Sequence, residues 1–325
     1  MNKNKHNFKS KEESIKKYLI DRKIAKDISL IEEVKGGIHN DVFHVKSDSG
    51  EIIYKKHLAV SKTFKNIILP PGRYENEKNS YQLLGKIVKQ KIVPRLLYFD
   101  DKEEILILEY LGEDNRIDKK IKSLKPELFF EIGRVLAEIS NKTYNSRELS
   151  ATFNNSAFQE LKYEYRYYKF IKNKKLYQVR DRLMEKARKN RVAFMHGDLR
   201  FNNIFVRNDS FYFIDFEGAF YADFALDPAY LTSDLLAYYY GYGDEKYKKM
   251  AQEFWRGFST TFAIDTNLEN LEWKIVKHAG FALLDKAIGV IKKDYSFAAP
   301  EILISKGEKI IVDDKIVKFG SLFID

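Results

Sequence analysis

The chain has 325 residues, of which 44% are hydrophobic and 14% aromatic, and this composition excludes an intrinsically disordered chain. It contains no cysteine, which excludes disulfides, thiolate nucleophiles and cysteine-based zinc sites. The formal net charge is +10, but the lysines are spread along the sequence and often stand beside acidic residues, so we expect a solvated basic surface and no nucleic-acid partner.

The sequence has no run of about 18 apolar residues such as a membrane-spanning helix needs. The N-terminal segment MNKNKHNFKSKEESIKK is charged and has no apolar stretch typical of a secretory signal. We therefore expect a cytoplasmic protein without a membrane partner. The sequence pattern predicts no particular oligomeric state.

The first elements in chain order are a helix over residues 11–27 and then three short strands, SLIEEV, DVFHVKS and EIIYKKHL. Tight turns at Gly36-Gly37 and Asp48-Ser49-Gly50 join the strands, which predicts an antiparallel meander. After Pro70-Pro71-Gly72 the pattern indicates a helix over residues 73–88, followed by the strands LLYFDD and EEILILEYL. Residues 1–111 are thus predicted to form a first domain with five strands and one key helix.

From residue 112 to residue 325 the sequence is predominantly helical. The predicted helices cover 126–143, 156–171, a segment ending near 190, and several segments between 227 and 293. A β-rich island, FMHGDLRFNNIFVRNDSFYFIDFEG, interrupts these helices, and the final stretch ILISKGEKIIVDDKIVKFGSLFI resembles short strands with turns. The predicted fold class is α+β, with a β-rich N-terminal domain and a mainly helical C-terminal domain.

The β-rich island contains the residues that indicate a chemical function. Asp198 is followed five positions later by Asn203, and two strands joined by a turn then lead to Asp215. This order is typical of phosphoryl transfer: Asp198 would accept the proton of an attacking hydroxyl, while Asn203 and Asp215 would hold the Mg²⁺ that accompanies ATP. Each fragment alone could be a structural turn, but their combination with a hairpin favours the catalytic interpretation.

The segment HGDLRFNNIFV…FYFIDFEGAF resembles the catalytic segment of the aminoglycoside phosphotransferase and choline kinase superfamily, whose members have a two-lobed protein-kinase-like fold. GGIHNDVFHVKSDSGEIIYKKHL and KHAGFALLDKAIGV are similar to segments of 5-methylthioribose kinases, so the resemblance spans about residues 30–295. It implies an ATP-dependent kinase of a sugar-like alcohol. Methylthioribose kinases generally carry two arginines where this chain has Asp285-Lys286. Protein kinases usually have Arg where Gly197 stands and Gly where Glu217 stands.

Two lysines compete for the phosphate-binding role that a kinase requires. Strand alternation puts Ile53 and Lys55 on one face and Lys56 on the other, and alternation alone leaves the choice open. The resemblance favours Lys55, with Ile53 covering the adenine. For the partner carboxylate, Glu77 lies beside the apolar stripe of its helix, whereas Glu75 falls among polar residues, so we select Glu77.

Further nucleotide contacts follow from position in the chain. Gly36 and Gly37 precede the strand DVFHV, where their backbone amides could approach phosphates, although an ordinary turn would look identical. The segment from Glu109 to Leu111 ends an apolar strand and fits the hinge whose backbone pairs with adenine. The pattern does not distinguish ATP from GTP.

The sequence identifies the residues that bind the acceptor less clearly than those that bind the nucleotide. Glu217 and Arg200 are candidate contacts for the acceptor or the transferred phosphate, and a structural salt bridge is an equal alternative for Arg200. Asp227 and Asp234 both resemble the acidic residue that braces the catalytic loop of related kinases, and the choice between them stays open. His196 is expected to be structural, and the tyrosine-rich stretches are expected to be packed core aromatics.

Three other functions explain the sequence less well than a metabolite kinase does. An aminoglycoside phosphotransferase would use the same chemistry, but the basic composition disfavours polycationic acceptors. A pseudokinase that binds nucleotide without turnover is disfavoured by the presence of all the catalytic residue types. A nucleic-acid-binding protein would offer no explanation for the hairpin between Asn203 and Asp215.

Overall fold

The computed structural model describes residues 2–34, 39–63 and 68–323, with side chains from residue 10 onward. The chain divides into two compact units. The first unit comprises Met1–Tyr74 and Pro94–Leu111, and the second comprises Glu75–Val93 and Gly112–Asp325. The predicted glycine turn Gly36-Gly37 lies outside the described residues.

The first unit is an antiparallel sheet with one long helix. Its elements are α1 (Asn2–Asp21), β1 (Ile28–Glu33), β2 (Asp41–Ser47), β3 (Gly50–Lys56), β4 (Leu96–Asp100) and β5 (Ile105–Glu109). The strand order is β1-β2-β3-β5-β4 and every neighbouring pair is antiparallel, so the five predicted strands are confirmed. Helix α1 ends at Asp21 rather than near residue 27, because the chain leaves the helix through Lys23 in a left-handed conformation with φ of 58°.

Side-chain alternation along β3 divides its residues between two environments. Ile52 and Tyr54 belong to the apolar core of this unit, which α1 completes with Ile15 and Leu19. Because side chains alternate along a strand, Lys55 projects from the opposite face of the sheet. The core therefore fixes the register that turns Lys55 away from α1.

Helix α2 (Arg73–Ile87) belongs to the second unit from Glu75 onward, whereas the sequence-based division at residue 111 placed it entirely in the first domain. Hydrogen bonds explain the difference. Asn76 donates its side-chain amide to the carbonyl oxygen of Ala219 over 2.9 Å. Farther along, the backbone N–H of Phe213 donates to the carbonyl oxygen of Ile92 over 2.7 Å. These contacts attach the helix and the loop after it to the β-rich island.

The rest of the second unit is mainly helical. Its helices are α3 (Ile117–Lys120), α4 (Pro126–Thr143), α5 (Arg147–Thr152), α6 (Ser156–Tyr163), α7 (Tyr177–Lys189), α8 (Leu226–Tyr242), α9 (Glu245–Thr261), α10 (Leu268–Ile288) and α11 (Pro300–Val312). A π-helical segment, Glu164–Lys169, continues α6. Within the described ranges, no helix is both long enough and apolar enough to cross a lipid bilayer.

Four short strands make up the β-rich island of the second unit. They are β6 (Ala193–Met195), β7 (Ile204–Arg207), β8 (Ser210–Phe213) and β9 (Phe220–Ala222). Strand β6 pairs with β9, and β7 pairs with β8 as the predicted hairpin. Asn208 and Asp209 adopt φ of 51° and 57°, the left-handed conformation that a two-residue hairpin turn of type I′ requires.

The C-terminal stretch was predicted as short strands, and this prediction is wrong. Residues 300–312 form α11, which begins with Pro300 in its first turn. Leu303, Gly307, Ile310 and Ile311 are its buried residues, and their spacing follows one face of a helix. The β-branched isoleucines favour a strand locally, but burial of this face against α10 decides the conformation.

Candidate active site

The hairpin brings Asn203 and Asp215 close together. Asn203 immediately precedes β7, Asp215 follows shortly after β8, and the backbone N–H of Ile214 donates to the carbonyl oxygen of Asn203 over 3.0 Å. Asp215 itself adopts a left-handed conformation, with φ of 66° and ψ of 57°. For a residue other than glycine this conformation is costly, and such strain concentrates at functional sites.

His196 connects the loop that carries Asp198 to the same hairpin end. Its Nε2 lies 2.9 Å from the carbonyl oxygen of Ile214, and its Nδ1 lies 3.3 Å from the backbone N–H of Asp198. Because a backbone N–H can only donate, Nδ1 accepts and Nε2 carries the hydrogen. These contacts agree with the expected structural role of His196, and they show that it links the two segments that carry Asp198 and Asp215.

Gly197 allows the loop to turn at this point. Its φ is +75°, and a Cβ built on it would collide with the carbonyl oxygen of Gly218 and the ring of Phe220. Both the conformation and the close approach of backbone require glycine. Residue 197 thus determines how near Asp198 lies to the turn that follows Asp215.

Asp227 and Asp234, between which the sequence could not choose, both brace the loop. Asp227 accepts the backbone N–H of His196 over 2.6 Å and that of Gly197 over 2.9 Å. Burial raises the pKa of the Asp227 carboxyl, and these hydrogen bonds oppose the rise. Asp234 holds the other end, accepting the backbone N–H of Phe201 over 2.8 Å. Both carboxylates come from α8, so one helix holds both ends of the loop.

Asp198 lies between arginine side chains. Oδ1 of Asp198 is 2.5 Å from Nη2 of Arg166 and 3.3 Å from Nε of Arg200. Burial opposes ionisation of Asp198, but Arg200, Lys162 and Arg166 outweigh it and hold the pKa of the carboxyl far below its usual range. Within the described part of the chain, Oδ2 accepts no hydrogen bond, and the side chain remains 20% exposed. Oδ2 is therefore the oxygen suited to meet an incoming hydroxyl.

Arg166 and Lys162 are site residues that the sequence-based reasoning missed, and Asp285 was noted only as a difference from methylthioribose kinases. Arg166 donates to the carbonyl oxygen of Gly197 over 3.0 Å and its Nε lies 3.9 Å from Oδ2 of Asp285. Lys162 donates to the same carbonyl oxygen over 3.2 Å. The spacing of four residues between Lys162 and Arg166 was the available signal, but it lay within the tyrosine-rich stretch interpreted as core packing.

The position Asp285-Lys286, where methylthioribose kinases carry two arginines, also lies at this loop. Lys286 is buried and its Nζ is 3.2 Å from Oδ1 of Asp234. Tyr295 donates a short hydrogen bond to the same carboxylate. Lys286 contacts the carboxylate of Asp234, and the carboxylate of Asp285 lies near Arg166. Through these two contacts, α10 also supports the loop.

Arg200 and Glu217 remain predicted acceptor or phosphate contacts. Nη1 of Arg200 lies 3.3 Å from Oδ2 of Asp294, to which Asn202 also donates over 3.1 Å. Arg200 therefore joins Asp198 to Asp294, as the salt-bridge alternative expected. Glu217 is 6% exposed and lies in the helical turn Phe216–Gly218 that follows Asp215.

Within the first unit, the two candidate lysines differ in environment. Lys55 is 6% exposed, whereas Lys56 is half-buried and its Nζ lies 3.0 Å from Oε2 of Glu103. Ile53 shares the face of Lys55 on β3. Lys56 is thus engaged in an ion pair of its own, and Lys55 stays the predicted phosphate ligand.

The predicted hinge residues also lie in the first unit. Glu109 ends β5, and its backbone N–H donates to the carbonyl oxygen of Arg95 over 2.9 Å. Leu111 is buried two residues later. Their contact with adenine stays a prediction.

Glu77 is fully buried on α2, whereas Glu75 is exposed. Tyr81, one turn along the helix, donates its hydroxyl to Oε1 of Glu77 over 3.0 Å and accepts the backbone N–H of Asp215 over 3.4 Å. Burial raises the pKa of Tyr81 well above its usual value, and the nearby Glu77 adds to the rise. A neutral tyrosine therefore connects the predicted carboxylate of the nucleotide site to the predicted metal ligand.

The donor set near the hairpin fits a hard divalent cation. Nδ2 of Asn203 donates to the carbonyl oxygen of Asp198 over 2.9 Å, which leaves Oδ1 as the atom of that amide that could coordinate a metal. Mg²⁺ prefers oxygen ligands and usually takes only one or two from the protein, the rest coming from phosphate and water. The described residues contain no group of three or more His, Cys, Asp or Glu side chains arranged to hold a metal.

Comparison with solved structures confirms the fold. The amicoumacin kinase hAmiN in complex with AMP-PNP, Ca²⁺ and Ami has a TM-score of 0.57 and 16% identity, covering 99% of this chain and 100% of that one. The choline kinase LicA from Streptococcus pneumoniae has a TM-score of 0.55 and 17% identity, covering 93% and 98%. A choline/ethanolamine kinase family protein from Mesorhizobium loti has a TM-score of 0.53 and 13% identity, covering 90% and 92%. These similarities bear out the predicted two-lobed, protein-kinase-like α+β fold.

A search of curated protein sequences gives no match. A sequence model of the phosphotransferase enzyme family, by contrast, matches residues 30–263, which include Lys55, Asp198, Asn203 and Asp215. This match confirms the predicted superfamily and the predicted enzyme class, a small-molecule phosphotransferase. The likeness to 5-methylthioribose kinases stays a prediction. Because the match spans more than half of the sequence and includes the loop around Asp198, the chain belongs to the phosphotransferase enzyme family.

Proposed function

We propose that the chain transfers the γ-phosphoryl group of ATP to a hydroxyl of a small, sugar-like metabolite. The observation that carries the proposal is the backbone of Ile214, which contacts both His196 of the Asp198 loop and Asn203 at the start of the hairpin. This arrangement holds a base, an amide and a second carboxylate in one connected network. Phosphoryl transfer depends mainly on such positioning and on charge stabilisation.

Asp198 would receive the acceptor hydroxyl at Oδ2 and orient it. The hydroxyl oxygen forms a bond to the γ-phosphorus, the bond from that phosphorus to the β–γ bridging oxygen breaks, and ADP departs. The hydroxyl proton passes to Oδ2 of Asp198. Because neighbouring cations keep the pKa of this carboxyl low, it is a weak base, and we expect orientation to be its main contribution.

The metal would be held by Oδ1 of Asn203 and the carboxylate of Asp215. When bound, Mg²⁺ neutralises charge on the phosphate oxygens. Tyr81 restrains the backbone of Asp215, so α2 would help keep the metal ligand in place. Ca²⁺ accompanies the nucleotide analogue in the hAmiN complex, which supports the use of a divalent cation but leaves Mg²⁺ as our proposal.

For the nucleotide we propose Lys55 as the phosphate ligand, Glu77 as its carboxylate partner, and Ile53, Glu109 and Leu111 as the adenine contacts. Burial of Lys55 and Glu77, beside the exposed Glu75 and the ion-paired Lys56, supports this selection. The AMP-PNP complex of hAmiN supports ATP as the donor. The glycines Gly36 and Gly37 and the cytoplasmic location stay predictions of the sequence.

The test is ATP consumption by the purified protein with sugars, sugar acids, amino alcohols and aminoglycosides as acceptors. We expect turnover with at least one sugar-related acceptor, and a loss of roughly 10²- to 10⁴-fold in kcat for Asp198→Ala with nucleotide binding retained. Turnover with aminoglycosides alone would support the drug-modifying alternative, and wild-type turnover by the D198A variant would remove Asp198 from this role.

A matched pair of variants tests whether Lys55 or Lys56 binds the phosphates. Lys55→Ala should weaken nucleotide binding or turnover strongly, whereas Lys56→Ala should change little beyond the loss of its pair with Glu103. The reverse result would assign the phosphate role to Lys56. Nucleotide binding without turnover of any acceptor would support the pseudokinase alternative.

A further inference from the structure

Lys162 is a charged residue of the second unit to which the proposed chemistry assigns no ligand. It lies in the last turn of α6, and its side chain is half-buried. The ammonium donates to the carbonyl oxygen of Gly197 over 3.2 Å, and it also lies 5.0 Å from the centroid of the Phe158 ring. Since Gly197 directly precedes Asp198, the ammonium is positioned beside the catalytic loop.

The hydrogen-bonding capacity of Lys162 is largely unused. An ammonium has three N–H donors, and among the residues that the structure describes only the Gly197 carbonyl oxygen accepts from it. No carboxylate in the same part of the chain lies within ion-pair distance of its Nζ. Burial lowers the pKa of the ammonium, and the more distant Asp198 opposes this shift. A half-buried ammonium whose N–H groups lack acceptors is energetically unfavourable, unless another group accepts these hydrogen bonds.

Arg166, one turn farther along, is engaged differently. It donates to the Gly197 carbonyl oxygen and to Asp198, and its guanidinium lies over the ring of Tyr230 at 4.2 Å. Arg166 is thus a positioning residue for Asp198. Lys162 has no comparable set of partners, so positioning of the loop does not account for its charge.

The surroundings of Lys162 place its ammonium between the residue before Asp198 and the turn after Asp215. Asp198, Glu217 and Asp215 all act electrostatically on the ammonium. A Cβ on Gly218 would collide with Nζ of Lys162, so the glycine at this position makes room for the ammonium. A ligand group bound by Lys162 would consequently lie near a hydroxyl held at Oδ2 of Asp198.

We propose that Lys162 binds an anionic oxygen group of the acceptor, so that the substrate is a small hydroxy acid of the sugar-acid type. This inference rests on the proposed kinase function and specifies its acceptor. A carboxylate fits because it can accept more than one N–H and compensates the buried positive charge. A cationic amine at the same place would lie against the ammonium of Lys162 itself, which disfavours it.

The test uses acceptors that differ only in the group next to the hydroxylated chain. D-gluconate, D-glucitol and D-glucamine form one such series, and D-glycerate, glycerol and 3-amino-1,2-propanediol form a shorter one. With the wild-type enzyme we expect kcat/KM for the acid to exceed that for the neutral alcohol by about 10- to 100-fold, the value of one charge-assisted hydrogen bond. The amine should be the poorest acceptor.

Variants at position 162 separate substrate binding from other roles. Lys162→Met should remove the preference for the acid by raising the KM of the acid far more than that of the neutral alcohol, and it should retain the wild-type melting temperature within a few degrees. Lys162→Arg should restore part of the preference. Lys169→Met, at an exposed lysine on the same helical segment, should retain it.

Other results would overturn the inference. An equal loss with acid, alcohol and amine in K162M would assign Lys162 to the Asp198 loop or the transferred phosphoryl group instead of the acceptor. Preference for the amine would exclude an anionic acceptor while leaving the kinase function intact. Calorimetric titration of the acids into wild-type and K162M protein with Mg·ADP tests binding separately. If the wild type binds an acid without turnover and K162M does not bind it, the anion site is retained and the kinase proposal is overturned. If the wild type binds none of the acids, the proposed anion site at Lys162 is overturned.

Discussion

The carboxylate of Asp227 accepts the backbone N–H of Gly197 over 2.9 Å, while its other oxygen accepts the adjacent N–H of His196. This bidentate contact fixes the turn that presents Asp198. Asp227→Asn would replace one acceptor oxygen by an NH₂ group facing a backbone donor. We expect the free energy of unfolding to fall by about 2 kcal/mol and kcat to fall by at least about 10-fold.

Urea unfolding and steady-state kinetics of the D227N variant measure both effects. The nucleotide dissociation constant serves as the internal control, because Asp227 contacts the loop backbone rather than the predicted nucleotide residues. A D227N enzyme with wild-type kcat would show that the bidentate contact does not position Asp198.

Gly197 and Gly243 allow conformational strain to be separated from steric collision. Both have positive φ, 75° and 66°, but a Cβ would collide with neighbouring atoms only at Gly197 and would meet nothing within 4 Å at Gly243. Gly243→Ala should therefore cost about 1–2 kcal/mol from the left-handed conformation alone. Gly197→Ala should cost more, and it should also reduce kcat by displacing Asp198. Equal destabilisation in thermal melts of the two variants would contradict this assignment.

Helices α4 and α9 approach closely through glycine. A Cβ on Gly133 of α4 would collide with the carbonyl oxygen of Phe254 and come within 2.9 Å of the backbone nitrogen of Phe258, both in α9. We expect Gly133→Ala to lower the free energy of unfolding by about 2 kcal/mol or more. The control is Gly85→Ala in α2, which has open space around it and should stabilise the protein by about 0.5–1 kcal/mol through helix propensity. Chemical denaturation of both variants should give opposite signs.

His278 should make stability depend on pH. Burial lowers the pKa of this histidine to about 3, its Nδ1 lies 2.7 Å from the Tyr167 hydroxyl, and its Nε2 has no hydrogen-bond partner among the described residues. The unfolded chain binds a proton with a pKa near 6.5, so it binds more protons than the folded state between these values. The free energy of unfolding should therefore fall as the pH decreases from about 6.5 towards 3, by up to about 1.4 kcal/mol per pH unit from this residue.

His278→Gln removes the titrating group and keeps a polar partner for Tyr167. Equilibrium unfolding at several pH values should show a flatter acid-side slope in H278Q than in the wild type. An unchanged slope would assign the acid sensitivity to other groups.

Most of the fold follows from local patterns. Alternation and turns predicted the strands of the first unit, and the hairpin from β7 to β8 follows from two apolar strands around Asn208 and Asp209, because these signals act over a few residues. The strand prediction for the C-terminal stretch is wrong because it also relied on local signals. Its isoleucines suit a strand locally, whereas α11 forms because one of its faces packs on α10.

The linear order of Asp198, Asn203 and Asp215 was enough to indicate phosphoryl transfer, since one short hairpin determines the spacing between the last two. The cations around Asp198 could not be found in this way. Arg166 lies 32 positions before Asp198, in a stretch whose tyrosines resemble ordinary core, and Asp227 and Asp234 were indistinguishable until both were seen to accept loop amides. The spacing of neighbouring residues was enough to predict the catalytic motif. The charged side chains around Asp198 come from helices that meet only when the chain folds, so the sequence alone does not identify them.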